Sequence, residues 1–176
     1  MSAAAPSPNE ITALRSGAAL VDRSGGGRLS LSGSQAKEAL SAVVTNEIEA
    51  LSPGHGCLAA CCTAKGRMLG DLRVLATDAE LLLDMERCAL QPIFDAIRHG
   101  LVGYEAELHK RTLQTSLFSL LGPQSRAIAG ADSLGESEDD NVAAELGGRP
   151  VLLITTNLGV DVLCSAEDQA PVRDAL

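Results

Sequence analysis

The apolar residues of this chain fall mostly in short runs separated by turn formers, so strand follows strand with little helix between. The runs are Ala18 to Asp22, Arg28 to Ser32, Cys57 to Cys62, Arg67 to Leu75, Leu81 to Asp84, Leu117 to Leu121, Pro150 to Thr155 and Val160 to Cys164. Ala64-Lys65-Gly66 joins one neighbouring pair and Thr156-Asn157-Leu158-Gly159 another, so both pairs read as hairpins. Strands that adjoin strands build an antiparallel sheet with helices packed on it, and the fold class expected is α+β. Val102, Tyr104, Ala106 and Leu108 alternate with polar partners and read as a further half-buried strand.

Helical signals are few. Ser7 can cap, Pro8 suits the first helical position and Glu10 completes a capping box, with an end expected near Gly17. Ser34 can cap a helix that carries Ala36, Leu40, Val43 and Val44 on one face. Leu90, Ile93, Phe94 and Ile97 keep helical spacing until Gly100. A last helix begins at Ser165, with Asp168 as its capping partner. The acidic, small-residue stretch Ser133 to Asn141 reads as a mobile loop.

The 176 residues suit one domain, 1–176, and 45% are apolar, enough for a core. No apolar run approaches the ~20 residues of a membrane span. Met1 to Glu10 has neither the basic residues nor the apolar stretch of a secretory signal, nor the arginines of a mitochondrial presequence. A net charge of −9 without a Lys/Arg-rich run disfavours nucleic acid. Phe94, Tyr104 and Phe118 are the only aromatics, too few for a base-stacking platform. Cys57, Cys61, Cys62, Cys88 and Cys164 contain no CxxC pair and fit free thiols in a reducing cytoplasm better than a metal site.

Several motifs fail on context. Gly25-Gly26-Gly27 has no following helix and no Lys-Ser/Thr pair, so a hairpin tip is favoured over a phosphate loop. Gly54-His55-Gly56-Cys57-Leu58-Ala59 has dinucleotide spacing but enters a strand, where no helix N-terminus faces a pyrophosphate. His55, His99 and His109 fit no triad order and no HExxH helix, and His99 is explained by its place near a helix end.

Three ordered stretches carry a resemblance. They are Leu20-Val21-Asp22-Arg23-Ser24 with Arg28-Leu29 and Leu31 to Ala36; Val44-Thr45-Asn46-Glu47 with Leu51 to Gly56; and Lys65-Gly66-Arg67-Met68-Leu69-Gly70-Asp71-Leu72. Leu120-Leu121-Gly122-Pro123 and Leu158-Gly159-Val160-Asp161-Val162 follow. Together they resemble the YgfZ/GcvT folate-binding family, which includes the glycine-cleavage T-protein. The resemblance implies a cavity for tetrahydrofolate or a derivative, and a domain similar to the folate-binding domain of T-protein and YgfZ.

It further implies a folate-binding protein of the YgfZ branch in the cytoplasm, serving iron–sulfur protein maintenance or one-carbon metabolism, with iron–sulfur client proteins as partners. The rivals are a folate-dependent aminomethyltransferase or demethylase, and an interaction module without ligand. T-proteins resemble one another in an Asp-Asp pair where this chain has Gly70-Asp71, a departure that argues against aminomethyl transfer. The Lys-Gly-Cys…Gly-Gln-Glu motif of YgfZ-like proteins lies farther along than this chain extends. A chain short of the family's C-terminal part would leave Val172 and Leu176 poorly covered and favour self-association.

The candidate folate-binding residues are Asp71, Asp161, Asp84, Thr45, Asn46 and Arg67. Asp161 falls where the resemblance places an acidic contact to the pterin, whose amino group and ring N–H a carboxylate can accept together; a solvated strand carboxylate is the alternative. Asp71 lies among Leu69, Leu72 and Val74 and needs either a cavity role or an Arg67 or Arg73 partner. Asp84 matches a position often Asn in T-proteins, or caps a helix toward Cys88. Thr45 and Asn46 line the cavity or end a helix, Lys65-Gly66 reads as a turn, and Arg28 and Arg67 meet the glutamate tail or are ordinary surface cations.

Overall fold

A computed structural model gives the fold and describes residues 7–176. The strands are β1 (Ala19–Asp22), β2 (Gly27–Ser32), β3 (Gly56–Cys62), β4 (Met68–Ala76), β5 (Leu81–Met85), β6 (Glu107–Lys110), β7 (Thr115–Leu121), β8 (Asn141–Leu146), β9 (Arg149–Thr156) and β10 (Gly159–Ser165). The helices are α1 (Pro8–Ser16), α2 (Ala36–Ser41), α3 (Leu90–Gly100), α4 (Ser125–Ile128) and α5 (Gln169–Ala175). Two five-stranded sheets form, ordered β1-β7-β10-β9-β8 and β3-β4-β5-β2-β6. Their pairings are antiparallel throughout. The α+β class and the mostly antiparallel sheets are as expected.

Strand alternation decides what each sheet face meets. Leu29, Leu31, Leu72, Val74 and Leu83 face Leu40, Ile93 and Ile97 of α2 and α3. Phe118, Leu120, Leu153, Val160 and Val162 face Ala129, Leu134 and Val172 on the far side of the other sheet. Between the sheets, Leu75 packs on Leu117, Ile154 and Leu163. The inter-sheet positions one step further along are charged, which places the polar chemistry in the middle of the molecule.

Some expectations are corrected. Gly25-Gly26-Gly27 is not a hairpin tip: β1 pairs with β7 and β2 with β5 and β6, so the chain changes sheets there. Ser34 does not cap α2; its hydroxyl donates to Glu105, and Gln35 takes the cap position without a side-chain bond. Val43 and Val44 lie past the end of α2, and Val44 bridges to Cys61 instead. The strand expected from Val102 starts only at Glu107, because Gly103, at φ 96, turns the chain and leaves Val102 83% exposed.

The acidic stretch before Asn141 leads into β8, an edge strand that the sequence reading missed. β8 returns to β9 through Gly147-Gly148, both at positive φ (58 and 70), the conformation a two-residue hairpin turn needs. At the C-terminal end, Ser165 accepts from the Asp168 N–H as expected. Val172, however, is fully buried and Leu176 partly so, because α5 lies across the outer face of β10. Residues 1–6 and the Glu10 side chain, on which the leader and capping-box readings rest, lie outside the described residues.

Candidate functional site

Asp84 sits on β5 with an arginine directly opposite on each side. Its register partners are Arg73 of β4 and Arg28 of β2. Arg73 Nη2 donates to Asp84 Oδ2 at 3.1 Å, and Arg28 Nη1 lies 3.6 Å from Oδ1. Opposite charges facing each other across strands stabilise the pairing. Burial nevertheless pushes the Asp84 carboxyl above the usual carboxylate value, with Arg73 and Arg28 offsetting only part of it. Burial likewise pulls the Arg28 guanidinium down.

Arg73 also reaches across to the other sheet. Its Nη1 lies 2.8 Å from Oδ2 of Asp161 on β10 and 3.8 Å from Oδ1 of Asp139. Burial acts against the Arg73 charge, but Asp161, Asp84 and Asp139 together outweigh it and raise its proton affinity. Both partners shift upward, because burial outweighs the neighbouring arginines at Asp84 while the three carboxylates outweigh burial at Arg73.

Asp161 is 1% exposed. Ser119, its register partner on β7, donates to Oδ1 at 2.5 Å. Arg73 Nη1 holds Oδ2 in an ion pair at 2.8 Å that strengthens the Arg73 charge but falls short of a well-aligned hydrogen bond. Arg23, half exposed, stands 3.9 Å away. The Oγ1 of Thr156 is also buried without a hydrogen-bond partner.

A cleft of about 450 Å³ opens beside this cluster. Asp71, Arg73, Asp84, Glu86, Glu138 and Asp139 line it with Arg23, while Leu58, Leu72 and Met85 give apolar wall. Its size is that of a small-molecule site. A recess of about 210 Å³ adjoins it, lined by Ser119, Asp161, Leu158 and Val21, and shares Arg23, Thr156 and Asn157 with the cleft.

Of the six sequence candidates, the structure brings Asp71, Asp84 and Asp161 to this cleft and recess. Asp71 is exposed, not buried as its apolar neighbours suggested, because it alternates with Leu72 and shares the cleft face with Arg73. Thr45 and Asn46 sit elsewhere, on the outer edge of β3. Thr45 Oγ1 accepts from the Ala60 N–H at 3.0 Å, and Asn46 Nδ2 donates to the Leu58 carbonyl at 3.0 Å. Arg67 is exposed in the turn after Gly66.

Gly70 faces α3, not the cleft. A Cβ there would stand 2.6 Å from Ala89 Cβ and 3.3 Å from Ile93 Cδ1. The missing carboxylate at position 70 therefore takes nothing from the cleft of this chain. Arg73, Ser119, Arg23 and Asp139 were not among the candidates. The register opposite Asp84 would have found Arg73; nothing local marks Asp139.

Among the described residues, no cluster of three or more His, Cys, Asp or Glu side chains is placed to hold a metal ion. No described helix is long and apolar enough to cross a membrane.

A two-sheet α+β domain with a charged cleft between strands is the class that fold and site define. Residues 2–154 match the GCVT N-terminal domain, and the chain belongs to that family. It is 28% identical over 152 residues to an aminomethyltransferase from Streptomyces coelicolor, covering 84% of this chain and 41% of the relative. Its fold matches glycine cleavage system aminomethyltransferase T from Bartonella henselae with a TM-score of 0.80 at 18% identity, over 95% of this chain and 47% of that one. A heterotetrameric sarcosine oxidase from a Corynebacterium species gives a TM-score of 0.66 at 18% identity, over 90% of this chain and 80% of the other. The chain thus spans less than half the length of the aminomethyltransferases it matches.

Proposed function

We propose that residues 1–176 are a folate-binding domain that takes tetrahydrofolate or a derivative in the cleft, with the pterin edge at Asp161. The observation that carries this reading is Asp161 Oδ2, buried beside the recess with no aligned donor. A pterin offers an amino group and a ring N–H side by side, and a carboxylate accepts both. Ser119 fixes Oδ1 and Arg73 Nη1 stands 2.8 Å from Oδ2, so the chain supplies an oriented acceptor. Asp71 and Asp84 add further acceptors on the cleft face. Family membership supports the same ligand class. The folate itself would supply one-carbon chemistry; the residues described here bind and orient it.

The wider role, maintenance of iron–sulfur proteins in the cytoplasm as in the YgfZ branch or one-carbon metabolism, is proposed from the sequence resemblance. Aminomethyl transfer is kept as a second reading. The name of the Streptomyces relative favours it, and Asp71, the carboxylate that remains of the pair, lines the cleft.

Calorimetry with 5-formyltetrahydrofolate tests the proposal. Asp161→Asn should weaken binding by about 1–3 kcal/mol, the scale of a hydrogen bond to a charged group. Absence of any binding heat with reduced folates at high protein concentration would sink the reading.

A further inference from the structure

The chain contains a buried carboxylate that neither the fold nor the pairing of charges explains. Asp139 is the one non-glycine among the described residues with a positive φ, at 66°. That conformation costs a residue with a side chain free energy, and such residues persist where their surroundings over-determine them. Here they do. The Asp139 N–H donates to the Thr155 carbonyl at 3.0 Å, and its own carbonyl accepts from Asn141 Nδ2 at 3.3 Å. The Asn141 N–H donates to the Gly54 carbonyl at 2.7 Å. Gly56 lets the loop close in, since a Cβ at that position would stand 2.7 Å from Asp139 Cβ.

These restraints hold the Asp139 carboxylate at the cleft wall, and the residue is 8% exposed. The cation beside it, Arg73 Nη1 at 3.8 Å, is beyond hydrogen-bond reach. The same Nη1 stands 2.8 Å from Asp161 Oδ2, the buried oxygen without an aligned donor. The two carboxylates are therefore no farther apart than those two distances laid end to end, which one fused ring can span. Arg73 meets all three carboxylates, but Asp84 also faces Arg28 and Asp161 also accepts from Ser119, whereas Asp139 meets Arg73 only at 3.8 Å. Burial raises the proton affinity of Asp139, with Arg73 offsetting part of the rise.

We propose that Asp139 is a ligand-binding residue of the cleft, accepting a hydrogen bond from an amino or ring N–H of a planar heterocycle whose donor edge also meets Asp161. The inference rests on the folate reading of the same cleft and adds to it a residue from the β7–β8 loop. Two acceptors around one cation select for a ring rich in N–H donors over one that presents carbonyls or alkyl groups.

The test is calorimetry on the whole chain with 5-formyltetrahydrofolate and with its 2-desamino analogue. Wild type is compared with Asp139→Asn, since asparagine tolerates the left-handed conformation, and with Asp139→Gly, which relaxes it. Both variants should bind the folate at least tenfold more weakly. Both should also lose most of the preference for the 2-amino compound, a readout that a merely structural role would leave in place. If the Asn variant does not fold, the Gly variant decides. Folate affinity within twofold of wild type, or an unchanged preference, overturns the role of Asp139 and leaves the folate reading standing. A wild-type chain that binds neither compound overturns both.

Discussion

Arg73 is the side chain on which the site depends. It sits on β4, pairs in register with Asp84 and crosses to Asp161 of the other sheet and to Asp139 of the β7–β8 loop. Arg73→Met keeps much of the length but leaves these carboxylates without their shared cation. Loss of one partner from a buried ionic cluster costs about 3–5 kcal/mol. A urea midpoint lowered to that extent is expected, and an unchanged midpoint would show that solvent already screens the cluster. The pH dependence carries a definite sign. Burial raises Asp84 and Asp139 above the ordinary carboxylate value of 3.8. Between that value and the raised ones the folded chain holds more protons than the unfolded chain, so the contribution of this pair to stability falls as pH rises. Denaturation of wild type against an Asp84→Asn/Asp139→Asn double variant should show wild type losing relative stability across that window. The opposite slope would mean that pairing with Arg73 outweighs burial. Asp161 and Asp71 could be picked out from sequence because each lies in a stretch with a family pattern, and Asp84 because its position is often Asn in T-proteins. Asp139 could not, because its position depends on Gly56, Asn141 and Thr155, which are remote or look like ordinary loop and strand residues.

At the scale of elements, alternation was the most readable signal and also explains where the reading stopped. The β9–β10 hairpin around Thr156-Asn157-Leu158-Gly159 and helix α3 follow directly from spacing. β8 did not, because Asn-Val-Ala-Ala-Glu-Leu is poor in β-branched and aromatic residues and is held as an edge strand by its glycine turn. The glycines at 25–27 look local in sequence, but their function is to pass the chain from one sheet to the other. Alternation also makes positions 70 and 71 unequal. Asp71 faces the cleft, while Gly70 lets Ala89, just ahead of α3, and Ile93 of α3 settle on β4. Gly70→Asp therefore does not add a cleft carboxylate. It forces a charge against apolar side chains and should destabilise the fold by about 3 kcal/mol or more. Thermal denaturation checks this, and a variant as stable as wild type would mean that α3 can move away from β4.

Across the whole molecule, each sheet is built almost entirely from one contiguous stretch of chain. β2 to β6 form one sheet and β7 to β10 most of the other. β1 is the exception: it lies ahead of the first stretch and pairs with β7 of the second, Ala19 opposite Leu121. Contacts distant in sequence form late because the loop between them has to be closed first. Pulse-labelled hydrogen exchange during refolding should protect amides of β4, β5, β9 and β10 before those of β1. Protection of β1 in the earliest phase would show that the sheets do not fold as separate units.

The position of β1 has a consequence for a chain being made. It leaves the ribosome before its partner exists, and about a hundred residues must follow before β7 can receive it. At cellular rates of synthesis that is a wait on the order of ten seconds. During it, Leu20 and Val21 form an unpaired apolar strand of the kind that chaperones hold and that neighbouring nascent chains can capture. The strand that completes the second sheet is thus also the strand that waits longest for its partner.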